Sequence, residues 1–264
     1  MPRPESITSS ANPLLKEIKR SIARGTLTQQ GHWIAETFHL LEEALRSGRQ
    51  IHAVLAKESA AGAVEQLLRG HREIRIAVLP DSLMQAISGT ETTQGVMALV
   101  SPPAEEAGRL FTPRSLVVVL DGLQDTGNAG TIVRTAEAFG ASGVIFLKGT
   151  ANPHHPKTLR ASAGSLFRMP FLHGLTATEA RDLLRGKGVE IYSAIPASNS
   201  CAVDANLRLP CALVIGSEAH GVSELLREAS RPLSIPTCGV ESLNAAVAAG
   251  ILLYEAARQR ATHA

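Results

Sequence analysis

From Ser115 onward four short apolar runs recur: SLVVVL from Ser115, GVIFL from Gly143, VEIYSA from Val189 and ALVIG from Ala212. They are rich in β-branched residues and mostly lack polar alternation, the pattern of strands buried on both faces. Helical candidates separate and follow them at Ala129–Phe139, Thr178–Arg185, Ser223–Ala229 and Leu243–Arg260. Strand and helix alternating in this way build an α/β unit, a parallel sheet with helices on both faces.

The segment Ser101–Arg114, SPPAEEAGRLFTPR, breaks the apolar periodicity with three prolines and paired glutamates, so it reads as a linker. The expected division is therefore a domain over 1–100, a linker over 101–114 and a parallel-sheet domain over 115–264. In the first domain Asn12-Pro13 starts a helix whose Leu15, Ile18 and Ile22 share a face and which Gly25 ends. A second helix is expected from about Glu36 to Ser47, with Phe38, Leu41 and Leu45 at helical spacing. Strand runs begin at Ile51, Ile74 and Val96, which makes this a small α/β domain.

Composition narrows the chemistry. The 264 residues carry 26 Lys+Arg against 24 Asp+Glu, a formal +2 that is too even to mark a nucleic-acid binder by charge alone. Nine aromatic residues are few for a platform that stacks successive bases, so any nucleic acid would have to be held through shape and phosphates. Cys201, Cys211 and Cys238 form no C-x-x-C pair and are odd in number, which argues against a disulfide framework or structural zinc. The N-terminus lacks the apolar core of a signal peptide, and no apolar run approaches the roughly 18 to 20 residues that span a bilayer. These features predict a soluble, cytoplasmic protein with no membrane and no metal.

In a parallel sheet, ligands bind beyond the carboxyl ends of the strands, so the loops leaving the apolar runs matter most. The first, DGLQDTGNAGTIVRTAEAFGASGVIFL from Asp121, has neither the G-x-G-x-x-G spacing of a dinucleotide site nor a Walker loop. Taken alone, its Gly127 and Gly130 make a tight turn. The second, IGSEAHGVSE from Ile215, sets Glu218 between two glycines, where a carboxylate is most often a solvated turn residue or a helix cap. The third, from Ser234, leads through Ser-Leu-Asn into a helix whose alanines suit close packing or a dimer interface. Between Leu147 and Thr178 there is no acidic residue, yet Lys148, Lys157, Arg160 and Arg168 occur with three histidines. That imbalance suggests a surface facing phosphates, with Lys157, Arg160 and Arg168 as candidate RNA contacts.

Taken as a set, N-A-G-T-I-V-R-T-A from Asn128, G-S-E-A-H-G from Gly216, and I-P with S-L-N from Ile235 resemble the SpoU/TrmH family of RNA ribose methyltransferases. KTLRASAGSLFRMPF from Lys157 resembles a further family segment. The front of the chain, in ITSSANPLLKEIK, GHWIAETFHLLEEAL and TTQGVMALV, is similar to the family's ribosomal-protein-like substrate-recruiting domain.

The resemblance implies a deep trefoil knot in the C-terminal domain, an exception to the rule that chains do not thread loops. It implies S-adenosyl-L-methionine as cofactor, with Gly216, Ile235 and Leu243 at cofactor positions. The implied catalytic set is Asn128, Arg134, Glu218, Ser242 and Asn244, acting in methyl transfer to a ribose 2′-hydroxyl of ribosomal RNA, with transfer RNA as the alternative substrate. It also implies a homodimer in which an arginine of one subunit completes the other's site. A guanidinium with a pKa above about 12 is a poor base, so Arg134 is expected to orient and stabilise charge, held by Glu218. Asn128 and Ser242 would align the hydroxyl, and Asn244 would anchor the turn.

Two departures bear on this. Asn244-Ala245-Ala246-Val247-Ala248 stands where the family commonly reads Asn-Val-Ser-Val-Ala, which removes a hydroxyl at Ala246. Ala219-His220 replaces a glycine and a small or acidic residue. A knotted RNA-binding or assembly protein without turnover is the competing reading, and tight cofactor binding discriminates against it.

Overall fold

The computed structural model describes residues 4–196, 198 and 200–261, and the chain divides into two compact units. The first holds residues up to Pro103 together with His154–Arg168, and the second holds the remainder. Along the chain the first unit runs β1 (Glu5–Ser6), α1 (Pro13–Arg24), β2 (Trp33–Glu36), α2 (Phe38–Arg46), β3 (Ile51–Lys57), α3 (Ala61–Leu67), β4 (Arg75–Leu79), α4 (Asp81–Ile87) and β5 (Val96–Val100). Its sheet has the order β1-β4-β3-β5-β2, with β5 antiparallel to both of its neighbours.

Local signals explain these elements. Asn12 accepts from the Leu14 N–H at 2.9 Å, Pro13 opens α1, and Gly25 in the left-handed conformation closes it. Leu15 and Ile18 of α1 and Met84 and Ile87 of α4 cover one sheet face, against Ile34, Leu55 and Leu99. By alternation Trp33 points to the opposite face. There its ring meets Phe167 edge-on at 5.7 Å between centroids, and its Nε1–H donates to His154 Nδ1 at 2.9 Å.

The second unit opens with β6 (Leu116–Asp121), α5 (Thr126–Ala138) and β7 (Gly143–Leu147). The chain then contributes α6 (Pro156–Ala161) to the first unit and continues in the second as β8 (Phe171–Leu175), α7 (Ala177–Gly186), β9 (Glu190–Ala194), β10 (Cys211–Gly216), α8 (Glu224–Glu228), β11 (Arg231–Leu233) and α9 (Ala245–Ala261). Its sheet is parallel throughout, in the order β11-β9-β10-β6-β7-β8. Val117, Val119, Ala212 and Val214 join Ala180 and Leu184 of α7 and Leu226 of α8 in one core. The alternate residues Val118, Leu120, Leu213 and Ile215 are equally buried, and α5 and α9 pack together, α9 also lying against β10 and α5 against β7. Helices on both faces thus account for the uninterrupted apolar strands.

The far end of α9 is fastened by Arg260, whose guanidinium donates to the carbonyls of Leu207 at 2.7 Å, Leu209 at 2.9 Å and Arg114 at 2.6 Å. The helix that begins at the third loop is therefore tied down at its opposite end.

Several elements differ from the sequence reading. Residues 33–36 form a strand, and the second helix starts only at Phe38, after Thr37 caps it by accepting from the Leu40 N–H. Four residues are too few to show a period. Strand β8 and helix α6 were not expected at all, being short edge or linking pieces. The stretch His154–Arg168 packs with the first unit, where the sequence reading placed it in one continuous domain from 115 onward. The bond from Trp33 to His154 and the ion pairs described below hold it there. No helix among the described residues is long and apolar enough to cross a membrane.

Candidate active site

Strands β6 and β10 are central neighbours, paired from Leu116 with Cys211 to Asp121 with Gly216, so they end level and their outgoing loops emerge side by side. After β6 the chain turns at Gly122, with φ near +70°, and Asp125 caps α5 by accepting from the Asn128 N–H at 2.6 Å. Asn128 is thereby fixed in the first turn of the helix. After β10 the chain folds back in a tight turn. The Gly221 N–H donates to the Ser217 carbonyl at 2.9 Å, and the Ser217 N–H donates to the Gly221 carbonyl at 3.1 Å. A side chain at Gly216 would lie 2.1 Å from the Gly221 carbonyl carbon, so only glycine permits this close return. The Ala219-His220 departure leaves the turn closed, because the His220 N–H donates to Ser217 Oγ at 3.1 Å.

The third loop enters α9 at Asn244, whose Oδ1 accepts from the N–H groups of Ala246 at 2.9 Å and Val247 at 3.3 Å. This cap uses the Ala246 backbone, so the missing side-chain hydroxyl does not disturb it. Asn244 Nδ2 donates to Asn128 Oδ1 at 3.2 Å, and Asn128 Nδ2 donates to Glu218 Oε1 at 2.6 Å. A single directional chain therefore runs from the N-terminus of α9 through two amides to a carboxylate, linking all three loops. Every donor and acceptor in it points one way, which fixes both amide orientations. Such a carboxylate keeps acceptor capacity for a hydroxyl hydrogen.

Beside this chain lies a cavity of about 370 Å³ at the carboxyl ends of β9, β10 and β11. Gly216, Ile235 and Leu243 line it, as do Glu218 and Ser242. Asn128, Asn244 and Arg134 are not among its lining residues. Its remaining wall includes Ile195, Leu233, Thr237 and Glu241, none of which the sequence reading singled out. Glu241 was legible in principle, since it directly precedes Ser242.

Residues 115–254 match the SpoU rRNA Methylase family, and residues 12–98 match the MRM3-like substrate binding domain. The chain belongs to the SpoU rRNA methylase family. It is 33% identical to the Bacillus subtilis 23S rRNA (guanosine(2553)-2′-O)-methyltransferase RlmP, over 95% of this chain and 98% of that one. It is also 33% identical to a Streptomyces viridochromogenes 23S rRNA (uridine(2479)-2′-O)-methyltransferase, over 90% and 86% of the two chains. The crystal structure of the SpoU methyltransferase AviRb from S. viridochromogenes in complex with the cofactor AdoMet superposes with a TM-score of 0.86 at 26% identity, covering 95% of this chain and 99% of that one.

Within this SpoU fold the basic candidates take different places. Arg134 is exposed, and no hydrogen bond or ion pair of its side chain is found among the described residues. It lies six residues beyond Asn128 on α5, about 9 Å further along the axis and turned by roughly 240°. The expected Glu218–Arg134 contact is therefore not made within the chain, and Asn128 holds Glu218 instead.

Lys157 is exposed at the start of α6. Arg160 pairs with the buried Glu36, which also accepts from the Gly89 N–H at 2.8 Å. Arg168 pairs with the buried Glu43, whose other oxygen accepts from Arg46. Burial pushes the Glu43 carboxyl up, and its bonds to Arg168 and Arg46 more than offset this, so its pKa lies below the ordinary value. The three histidines of the stretch are engaged as well: His154 with Trp33, His155 as cap of α6 accepting from the Lys157 N–H at 3.0 Å, and His173 with Glu105 at 2.8 Å.

Sequence reading also passed over Asp121, at the end of β6. Its carboxylate accepts from the Ser223 N–H at 2.7 Å and so holds the start of α8. Only the pairing of β6 with β10 brings those two residues together.

Proposed function

We infer that the chain is an S-adenosyl-L-methionine-dependent methyltransferase that modifies a ribose 2′-hydroxyl of ribosomal RNA. The observation that carries this reading is the bonded chain from Asn244 through Asn128 to Glu218 beside the cavity of Gly216, Ile235 and Leu243, in a SpoU family member. The cavity residues fit the cofactor: Ile215, Ile235 and Leu243 offer apolar contact for an adenine and a thioether chain, and Glu218 and Glu241 offer negative charge to a cation. When bound, the cofactor supplies an electrophilic methyl group on a sulfonium whose leaving group is a neutral thioether.

The protein's share is positioning and proton removal. Glu218, held on one oxygen by Asn128, accepts the hydrogen of the ribose hydroxyl, and Ser242 on the cavity wall aligns it. The five donors of Arg134 suit the substrate phosphate or the developing alkoxide. The first unit recruits the RNA, with Lys157 as an outward phosphate contact, whereas Arg160 and Arg168 serve mainly to hold Glu36 and Glu43. Relatives named for guanosine and uridine are equally identical to this chain, so identity does not assign the base.

The reading includes a trefoil knot in the second unit, residence in the cytoplasm and a homodimer. Val247, Ile251 and Tyr254 are 51%, 40% and 56% exposed and recur at i, i+4 and i+7 along α9. Since α9 packs on α5, a partner on that stripe lies close to the helix carrying Arg134, which supports a site shared between subunits. The test is a map of ribose methylation across ribosomal and transfer RNA in cells with and without the gene, followed by restoration with purified protein. One missing 2′-O-methyl in ribosomal RNA, restored in vitro, is expected. Unchanged maps would overturn the reading, and a missing mark in transfer RNA would overturn its substrate.

A further inference from the structure

We propose that Glu241, acting with Glu218, makes the cavity selective for the cationic methyl donor over its neutral product. The proposal rests on the cofactor reading above. Two carboxylates line the cavity, while no lysine, arginine or histidine does so among the described residues. Glu241 is exposed on the loop between β11 and α9, and its side chain makes no hydrogen bond or ion pair among the described residues. Its charge is therefore not neutralised by an ion pair among the described residues.

The donor carries a sulfonium, an ammonium and one carboxylate, a net charge of +1. During transfer the carbon–sulfur bond breaks and its electron pair stays on sulfur. The methyl group passes to the ribose oxygen, and that oxygen's proton leaves to a base. The by-product is a thioether of net charge zero. Donor and product differ otherwise by one methyl group, so the apolar walls hold them almost equally. Fixed negative charge at the wall distinguishes them. In a cavity open to water, one carboxylate a few ångströms from the ligand shifts affinity by about three- to tenfold.

Calorimetric titration of the full-length protein at low salt, with S-adenosylmethionine, S-adenosylhomocysteine and sinefungin, tests this. Sinefungin carries a protonated amine on a carbon in place of the sulfonium and so keeps the donor's charge. The wild type is expected to bind both cations several-fold more tightly than the neutral product. Glu241→Gln is expected to weaken both cations by about three- to tenfold while leaving the product nearly unchanged, and Glu241→Asp to restore part of the difference. Equal weakening of all three ligands would make Glu241 a packing residue and overturn the proposal, as would no change with any of them. In both cases the cofactor reading survives. Failure of the wild type to bind any of the three removes that reading along with the proposal.

Discussion

The Asn128 amide donates to the Glu218 carboxylate at 2.6 Å across a separation of 90 residues, joining the loop after β6 to the loop after β10. The bond fixes which carboxylate oxygen remains open. Replacing the amide by a second carboxylate reverses its sense, because two like charges at that distance repel and one must take up a proton. Asn128→Asp is therefore expected to lower single-turnover methylation by more than Asn128→Ala, whose loss we place on the order of tenfold to a hundredfold. The gap should narrow as the pH is lowered, because a proton held between the two carboxylates restores a hydrogen bond. Rate profiles of the two variants against pH decide it, and parallel profiles would remove the orienting role.

Arg134 lies outside the Glu218 network, which separates its contribution from that of Asn128. Arg134→Ala is expected to lower the single-turnover rate by on the order of a hundredfold at saturating RNA and cofactor, with cofactor affinity unchanged. Arg134→Lys keeps the charge and loses the planar fork, so it should recover only part of the rate. An unchanged rate in the alanine variant contradicts the assignment.

The basic stretch of the first unit contains cations with two kinds of work, and substitution separates them. Arg160→Ala leaves Glu36 buried without its guanidinium, so it should destabilise the protein by about 3 kcal/mol or more. Lys157→Glu, on the exposed start of α6, should leave the melting temperature unchanged and weaken RNA binding, most strongly at low salt. Chemical denaturation and filter binding with ribosomal RNA fragments read the two effects. The reverse pattern would assign phosphate contact to Arg160.

Much of the second unit was legible because its strands are buried on both faces and therefore read as unbroken apolar runs. The three loops were recognisable through resemblance, while their mutual bonds were not: nothing near Asn128 in sequence announces Glu218 or Asn244. The partners of the basic stretch were hidden for the same reason. Its compensating acids, Glu36 and Glu43, lie 124 and 125 residues away from Arg160 and Arg168. Strand β2 escaped notice because four residues between a histidine and a cap carry no period. The start of α5 was placed three residues late because Asp125 was not read as its cap.

Acid should weaken the first unit in two stages. His32 and His155 both have pKa values lowered from 6.5, in each case first by burial and then by neighbouring positive charge, from His52 for the one and from Lys157 and Arg160 for the other. The unfolded chain then binds more protons than the folded one just below pH 6.5, so stability is full above that value and falls as pH drops through the lowered pKa values. Glu43, lowered from 4.5, contributes stability above that value and loses it at still lower pH. His155→Asn keeps an acceptor for the Lys157 N–H without titrating, and should shrink the first stage only. Thermal unfolding from about pH 8 to about pH 2 measures both, and a first stage unaltered in that variant would exclude His155 as a source.

The apolar stripe on α9 leads to a prediction that joins assembly to chemistry. Tyr254 is 56% exposed yet lies edge-on to Phe139 at 5.8 Å, next to the end of α5, and Ile251 is one turn before it. If this face meets a second copy, a charge placed at Ile251 must be desolvated on association, which opposes dimer formation strongly. Ile251→Asp should therefore sediment near the single-chain mass of 27.9 kDa where the wild type sediments near twice that value. Methylation should fall with the dimer while cofactor binding persists, because the cavity is built from one chain. A monomeric Ile251→Asp variant with full activity would instead place the complete catalytic set within a single subunit.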